Sequence, residues 1–196
     1  MKPRGPAVVL AGMATALFAG WFVFPRVLYS SKSQPVAFSH KAHIDKAGVK
    51  CEDCHSLSAD GVFNGIPRLE KCAGCHASPM TQSAEEKLLI DRYITPNREI
   101  PWLVYARQPD NVYFAHAVHL KAAGLACERC HGRHGATNSL RPYQENRITG
   151  YSRDIWGQSI SRISYGPQER PAMKMDDCVA CHRERNVETS CIACHR

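Results

Sequence analysis

The sequence contains no G-x-x-x-x-G-K-[ST] loop, no Rossmann glycine fingerprint and no Ser-His-Asp grouping. Nucleotide-driven chemistry and triad hydrolysis therefore have no residues to carry them. It has a single long apolar run, Ala7 to Phe24. Cysteine is absent everywhere except in five short boxes of one form: Cys51-Glu52-Asp53-Cys54-His55, Cys72-Ala73-Gly74-Cys75-His76, Cys127-Glu128-Arg129-Cys130-His131, Cys178-Val179-Ala180-Cys181-His182 and Cys191-Ile192-Ala193-Cys194-His195. No cysteine is left over for any other linkage.

The fifth letter of these boxes decides their chemistry. Ten cysteines in an exported chain could form disulfides, and C-x-x-C pairs could bind zinc. Structural zinc, however, needs four ligands in a tetrahedron and has no use for a histidine after every second cysteine. With ten histidines in 196 residues, chance placement after all five pairs is negligible. C-x-x-C-H is the attachment signature of c-type haem, in which two thiols bond the porphyrin and the adjacent imidazole lies under the iron. Five covalent haems are expected, on Cys51 and Cys54, Cys72 and Cys75, Cys127 and Cys130, Cys178 and Cys181, and Cys191 and Cys194. Their proximal ligands are His55, His76, His131, His182 and His195.

Such attachment occurs outside the cytoplasm, and the N-terminus agrees with export. Lys2 and Arg4 precede the apolar run, and Pro25 and Arg26 end it. Eighteen helical residues span roughly 27 Å, close to a hydrocarbon core of about 30 Å. A cleavable signal is the rival, with Ala14-Thr15-Ala16 as its site. That tripeptide lies inside the run, so residues 1–29 are expected to remain as a single-pass anchor in the cytoplasmic (inner) membrane. The basic N-terminus faces inward, Trp21, Phe22, Phe24 and Tyr29 sit at the outer interface, and the haem domain faces the periplasm. Gly12, Ala16 and Gly20 make a small-residue stripe suited to helix packing, or reflect ordinary membrane-helix composition.

The net charge of +7 would fit nucleic acid or anionic lipid. Ten propionates from five haems bring the sum to about +2 oxidised and about −3 reduced, so the excess base serves mainly as propionate partners. No other feature supports a nucleic-acid function.

Beyond the anchor, residues 30–37 read as a polar tether. "FSHKAHIDKAGVKCEDCH" at 38–55 returns as "FAHAVHLKAAGLACERCH" at 114–131, with the Phe, both histidines, the Ala-Gly and the cysteine box at identical offsets. The domain thus divides into a first half-repeat, 38–113, with two haems, and a second, 114–196, with a long insertion and an additional C-terminal haem. A short helix is predicted in "SAEEKLLIDRYI", 83–94, where Ser83 and Glu86 resemble a capping box. The insertion between His131 and Cys178 is too long for an ordinary loop and is expected to wrap porphyrin edges or reach a partner. The fold class is therefore a multihaem cytochrome c, mostly irregular, with short α-helices carrying the boxes, a haem-filled core and one N-terminal transmembrane helix.

Five histidines remain outside the boxes: His40, His43, His116, His119 and His134. They match five irons as distal ligands. Residues three apart on a helical turn share a face but reach different points, so each H-x-x-H pair can serve two neighbouring haems. His134 could instead lie by a propionate. Met80, Met173 and Met175 are alternative thioether ligands or simple packing against porphyrin. Full axial ligation favours electron transfer over reduction of a substrate at iron.

The F-x-H-x-x-H block before a box resembles the class III cytochromes of the c3 and c7 group. That resemblance implies that His40 serves the haem on Cys51 and Cys54, and His116 the haem on Cys127 and Cys130, while the second histidine of each block serves another haem. More of the chain, including "GIPRLEKCAGCHAS", "EIPWLVYARQPDNVYFAHAVH", "YQENRITGYSRDIWG" and "MKMDDCVACHRERNVETSC", resembles the multihaem subunits of menaquinone reductase (Qrc) complexes of sulfate reducers. It is similar, less closely, to the pentahaem subunit of alternative complex III. The resemblance implies a non-catalytic relay between a periplasmic cytochrome c3-type partner and the iron-sulfur and quinone-site membrane subunits of such a complex. The Qrc subunits are described with six haems, so a sixth here would be unlinked or absent. A NapC/NrfH-like quinol dehydrogenase and a standalone multihaem carrier are the competing expectations.

Overall fold

The computed structural model describes residues 5–155 and 173–195. Lys2 and Arg4, expected to orient the anchor, and residues 156–172 of the insertion lie outside the described residues.

The apolar run forms helix α1 (Gly5–Phe18), a π turn (Ala19–Val23) and a short α2 (Phe24–Val27). Together Gly5–Val27 is long and apolar enough to cross a membrane, with mean hydropathy 2.1 and none of it buried in the protein. The π turn has a local cause. Pro25 has no N–H for the carbonyl four residues earlier and its ring crowds that carbonyl. The chain widens by one residue just before it, and Phe24 N–H bonds Ala19 O instead. Arg26 follows, its guanidinium bonding Phe22 O at 2.8 Å, which satisfies the charged head where the helix ends.

The expected tether is structured from its first residue. Strand β1 (Tyr29–Lys32) pairs antiparallel with β2 (Tyr143–Asn146), Tyr29 opposite Asn146 and Lys32 opposite Tyr143. Arg147 N–H bonds Leu28 O at 2.9 Å, Lys32 pairs with Glu145 at 2.5 Å, and the Arg153 guanidinium lies 4.8 Å from the Tyr29 ring centre. Part of the insertion thus clamps the end of the anchor.

Behind this ribbon lies a buried polar group. Asp154 takes both nitrogens of the Arg141 fork, and Lys174 donates to the carbonyls of Arg153 and Asp154. Tyr105 donates to Arg141 O and stacks under its guanidinium at 4.5 Å. Burial, with Arg141 and Arg153 nearby, pushes Lys174 down to about 8 against the opposing pull of Asp154 and Asp177.

The helices of the domain are short: α3 (His40–Ala47), α4 (Cys51–Cys54), α5 (Leu69–His76), α6 (Ala84–Leu89) running into a π turn (Ile90–Ile94), α7 (Cys127–His131), α8 (Met175–Glu184) and α9 (Cys191–Cys194). Short elements with little sheet leave a small apolar cluster, Val36, Leu69, Leu89, Tyr93 and Ile100, with Cys72 and Trp102 against it. Among the described residues that is little apolar core for a domain of this length.

Candidate haem sites

Every box lies on a helical turn, and the periodicity explains why. Cysteines three apart share a face, and a histidine four after the first cysteine joins them. The helix carries His76, His131 and His182 through α5, α7 and α8. In α4 and α9 it stops at the second cysteine, leaving His55 and His195 with extended or irregular backbone. No disulfide joins any two of the ten cysteines.

The duplicated block keeps its geometry as well as its letters. Phe38 stacks on His43 with ring centres 4.3 Å apart and meets His40 edge-on at 4.9 Å; Phe114 does the same to His119 at 4.5 Å and His116 at 4.8 Å. The phenylalanine is a spacer that fixes both imidazoles. Each block ends at a left-handed glycine, Gly48 (φ 68°) and Gly124 (φ 60°), where Val49 N–H bonds His43 O and Leu125 N–H bonds His119 O, both at 3.1 Å. The first block opens as an α-helix capped by Ser39; the second becomes a π turn over Val118–Ala122.

Histidine rings meet in four pairs of nearly one spacing: His43 and His76 at 6.1 Å, His116 and His131 at 6.3 Å, His119 and His182 at 6.1 Å, and His40 and His134 at 6.2 Å. An imidazole nitrogen binds a first-row metal at about 2.0 Å and lies roughly 1.2 Å from its ring centre. Two rings on opposite sides of one metal therefore stand roughly 6.4 Å apart. The spacing fits axial ligation of iron by two histidines. Zinc fits less well, since among the described residues no three or more His, Cys, Asp or Glu side chains gather.

The Nδ1 atoms point the same way. His43 bonds Ser39 O at 2.8 Å, His119 bonds Ala115 O at 2.9 Å, His182 bonds Glu188 O at 3.1 Å, His55 bonds Gly65 O at 3.2 Å, and His76 meets Glu86 Oε1 at 2.6 Å. An acceptor on Nδ1 fixes the tautomer and frees Nε2, the usual arrangement of a metal-bound histidine. Burial first, and then neighbouring histidines, hold His116 and His131 below the ordinary range and His40 at about 4. They remain neutral, the form that binds metal. His40 Nδ1 is buried without a partner among the described residues.

Three predicted proximal histidines, His76, His131 and His182, thus face His43, His116 and His119. The pairing of His116 with His131 is the one the class III resemblance implies. His40 does not repeat it. A turn at His134–Ala136 packs on α3, with Lys41 N–H bonded to Thr137 O at 3.0 Å, and brings His134 opposite His40. His55 sits 6.4 Å from the Phe63 ring, and Phe63 stacks on His116 at 4.2 Å. His195 is placed by its backbone, bridged to Val112. Among the described residues no ring contact joins His55 or His195 to another histidine. Met80 and Met175 are exposed, and Met173 N–H bonds Cys130 O.

The boxes neighbour one another in a definite order. Cys54 lies near Cys75, Cys51 beside Cys127, Cys130 near Cys181, and Cys178 near Cys194. In space the second box adjoins the first, then follow the third, fourth and fifth.

Two residues escaped the sequence reading. Phe63 carried no signal beyond being aromatic. Glu86 carried a misleading one. Ser83 does cap α6, accepting from Glu85 N–H, but Glu86 does not return to it. Its carboxylate takes Met80 N–H, Thr81 N–H, the Thr81 hydroxyl and His76 Nδ1, and the Thr81 hydroxyl and Met80 bonds lead in lowering its pKa to about 2.

Comparison with known proteins agrees with this geometry. Residues 24–100 match the class III cytochrome c family, and residues 112–196 match cytochrome c7 and related cytochromes c, dividing the chain close to its internal repeat. The menaquinone reductase multihaem cytochrome c subunit of Nitratidesulfovibrio vulgaris (strain Hildenborough) is 35% identical over 207 residues, covering 98% of this chain and 90% of the relative. The chain therefore belongs to the class III multihaem cytochromes c, electron-transfer proteins with covalently bound c-type haem, in the family of that menaquinone reductase subunit.

Proposed function

We propose that this chain is the non-catalytic electron-relay subunit of a membrane menaquinone oxidoreductase complex, holding five c-type haems on its five boxes. The observation that carries the reading is the recurring 6.1–6.3 Å opposition of box and non-box histidines. When bound, haem supplies the one-electron carrier. The residues would supply the rest: thiols to hold each porphyrin, opposed imidazoles at the second, third and fourth boxes to bind iron, and H-x-x-H blocks that tie adjacent sites together. His116 serves the third box and His119 the fourth, so one rigid turn sets the relation of two sites. The box order, second, first, third, fourth, fifth, lays out a continuous path.

The anchor holds the chain in the cytoplasmic membrane with the boxes on the periplasmic side. The partners are the iron-sulfur and quinone-site membrane subunits of the complex and a periplasmic cytochrome c3-type donor or acceptor. Solubilising the native membrane in mild detergent should bring these subunits down with the chain, and the isolated chain should not oxidise a menaquinol analogue. Quinol oxidation by the isolated subunit would overturn the relay reading in favour of a NapC/NrfH-like dehydrogenase. Recovery of a water-soluble chain lacking the N-terminus would instead favour a standalone carrier.

The His40–His134 pair has the same spacing but belongs to no cysteine box, the arrangement of a sixth haem without a covalent link. Acid-acetone treatment distinguishes the two kinds of attachment. It should extract one haem per chain and leave five, whereas extraction of none would return His40 and His134 to the five linked sites as distal ligands.

A further inference from the structure

Four of the histidines described above rest Nδ1 on a main-chain carbonyl: His43, His55, His119 and His182. His76 differs. Its Nδ1 meets the carboxylate of Glu86 at 2.6 Å, the shortest of the five contacts, and the Glu86 side chain is only 6% exposed. The carboxylate is held there by Met80 N–H at 2.9 Å, Thr81 N–H at 2.7 Å and the Thr81 hydroxyl. The structure also shows what was forgone. A glutamate three residues after a helix-capping serine ordinarily returns to the serine N–H. Here Ser83 N–H donates to the Thr81 hydroxyl oxygen instead, leaving Glu86 for His76.

A carbonyl offers a dipole, whereas a carboxylate offers a full charge, and charge-assisted hydrogen bonds are roughly twice as strong as neutral ones. A charged acceptor makes the imidazole a more basic ligand and places negative charge behind it. Both effects favour the ferric over the ferrous iron. The surrounding apolar cluster, with Leu69 and Cys72 on the same helix as His76, acts oppositely, because low polarity favours the less charged ferrous site.

We propose that Glu86 is a positioning residue that acts through His76 to hold the haem of Cys72 and Cys75 at a lower potential than a carbonyl partner would give, against the effect of burial. This rests on His76 being an axial ligand, as assigned under the proposed function. It gives the first half-repeat one site that retains electrons less readily, at the end of the box order.

Spectroelectrochemical titration of the purified full-length holoprotein tests the inference, with haem content and low-spin EPR signals recorded in parallel. Glu86→Gln should move one midpoint potential positive and leave the others in place, and Glu86→Asp should restore it toward the native value. Thr81→Val removes a donor to the carboxylate and also the acceptor that occupies Ser83 N–H, so Glu86 is drawn back to the cap and the same potential should move positive, while Thr81→Ser, which keeps both bonds, should stay near the native value. Loosened packing alone would shift Thr81→Ser and Glu86→Asp as well. Unmoved potentials in Glu86→Gln at full haem content overturn the inference. If Glu86→Gln loses haem, an unmoved potential in Thr81→Val overturns it. His76→Ala should remove one bis-histidine low-spin signal; retention of that signal overturns the ligation reading itself.

Discussion

Replacing Asp154 by Asn tests how the haem domain is fixed at its base. The Asp154 side chain is 3% exposed and takes both arms of the Arg141 fork, while Arg141 is 27% exposed. Breaking a buried ion pair by removing one partner costs about 3–5 kcal/mol, because the remaining charge is left uncompensated. Water reaching Arg141 reduces this, and its stacking on Tyr105 at 4.5 Å survives. Arg141 Nε, however, is already buried without a partner among the described residues, so little compensation is at hand. The expected loss is about 2–3 kcal/mol, which for a chain of this size lowers Tm by about 5–10 °C. Ellipticity melts of the detergent-solubilised holoprotein measure it. Arg141→Met combined with Asp154→Leu removes both charges and should recover at least half of the loss, since apolar replacement of a buried pair is often neutral. A single-variant shift under about 1 °C, or a double variant no more stable than the single, would refute the reasoning.

Lys174 gives a pH signature. Its folded pKa is lowered from 10.5 to about 8, so the unfolded chain binds more protons between those values and stability rises with pH across that window. In denaturant titrations the native chain should therefore gain on Lys174→Met between pH 8 and 10.5, and below pH 8 the difference between them should be flat. Gly48→Ala and Gly124→Ala meet nothing within 4 Å, so only the left-handed backbone opposes them; each should cost about 1–2 kcal/mol, read as a shift in denaturation midpoint. His119→Ala should leave the haem count unchanged and convert one low-spin haem to high spin in the EPR spectrum, because His182 then lacks its opposed ring.

The features legible in the sequence are those that covalent chemistry pins to a local spacing. A thiol pair and its histidine must share one helical turn, and the letters of α5, α7 and α8 say so directly. The H-x-x-H blocks were readable because duplication placed two copies side by side. Which histidine opposes which was less accessible. His119 reaches His182 across a long insertion, and His40 meets His134 rather than repeating the relation of His116 to His131, because the turn after the third box packs on α3. The pairing of Tyr29–Lys32 with Tyr143–Asn146 was hidden for a similar reason: neither segment alternates strongly, and each finds its partner more than a hundred residues away. Glu86 fitted a local motif and obeyed a tertiary contact instead, since a charge-assisted bond to a half-buried imidazole outweighs a helix cap of about 1 kcal/mol.

The strand that follows the anchor without a break has a mechanical consequence. A leash would let the haem domain swing and sample partners at many heights above the lipid. With Tyr29 already in register against Asn146 and Arg147 bonded to Leu28, the domain is mounted as on a bracket. Its boxes keep a set relation to the apolar helix, so whatever exchanges electrons with them meets a fixed surface rather than a swinging one.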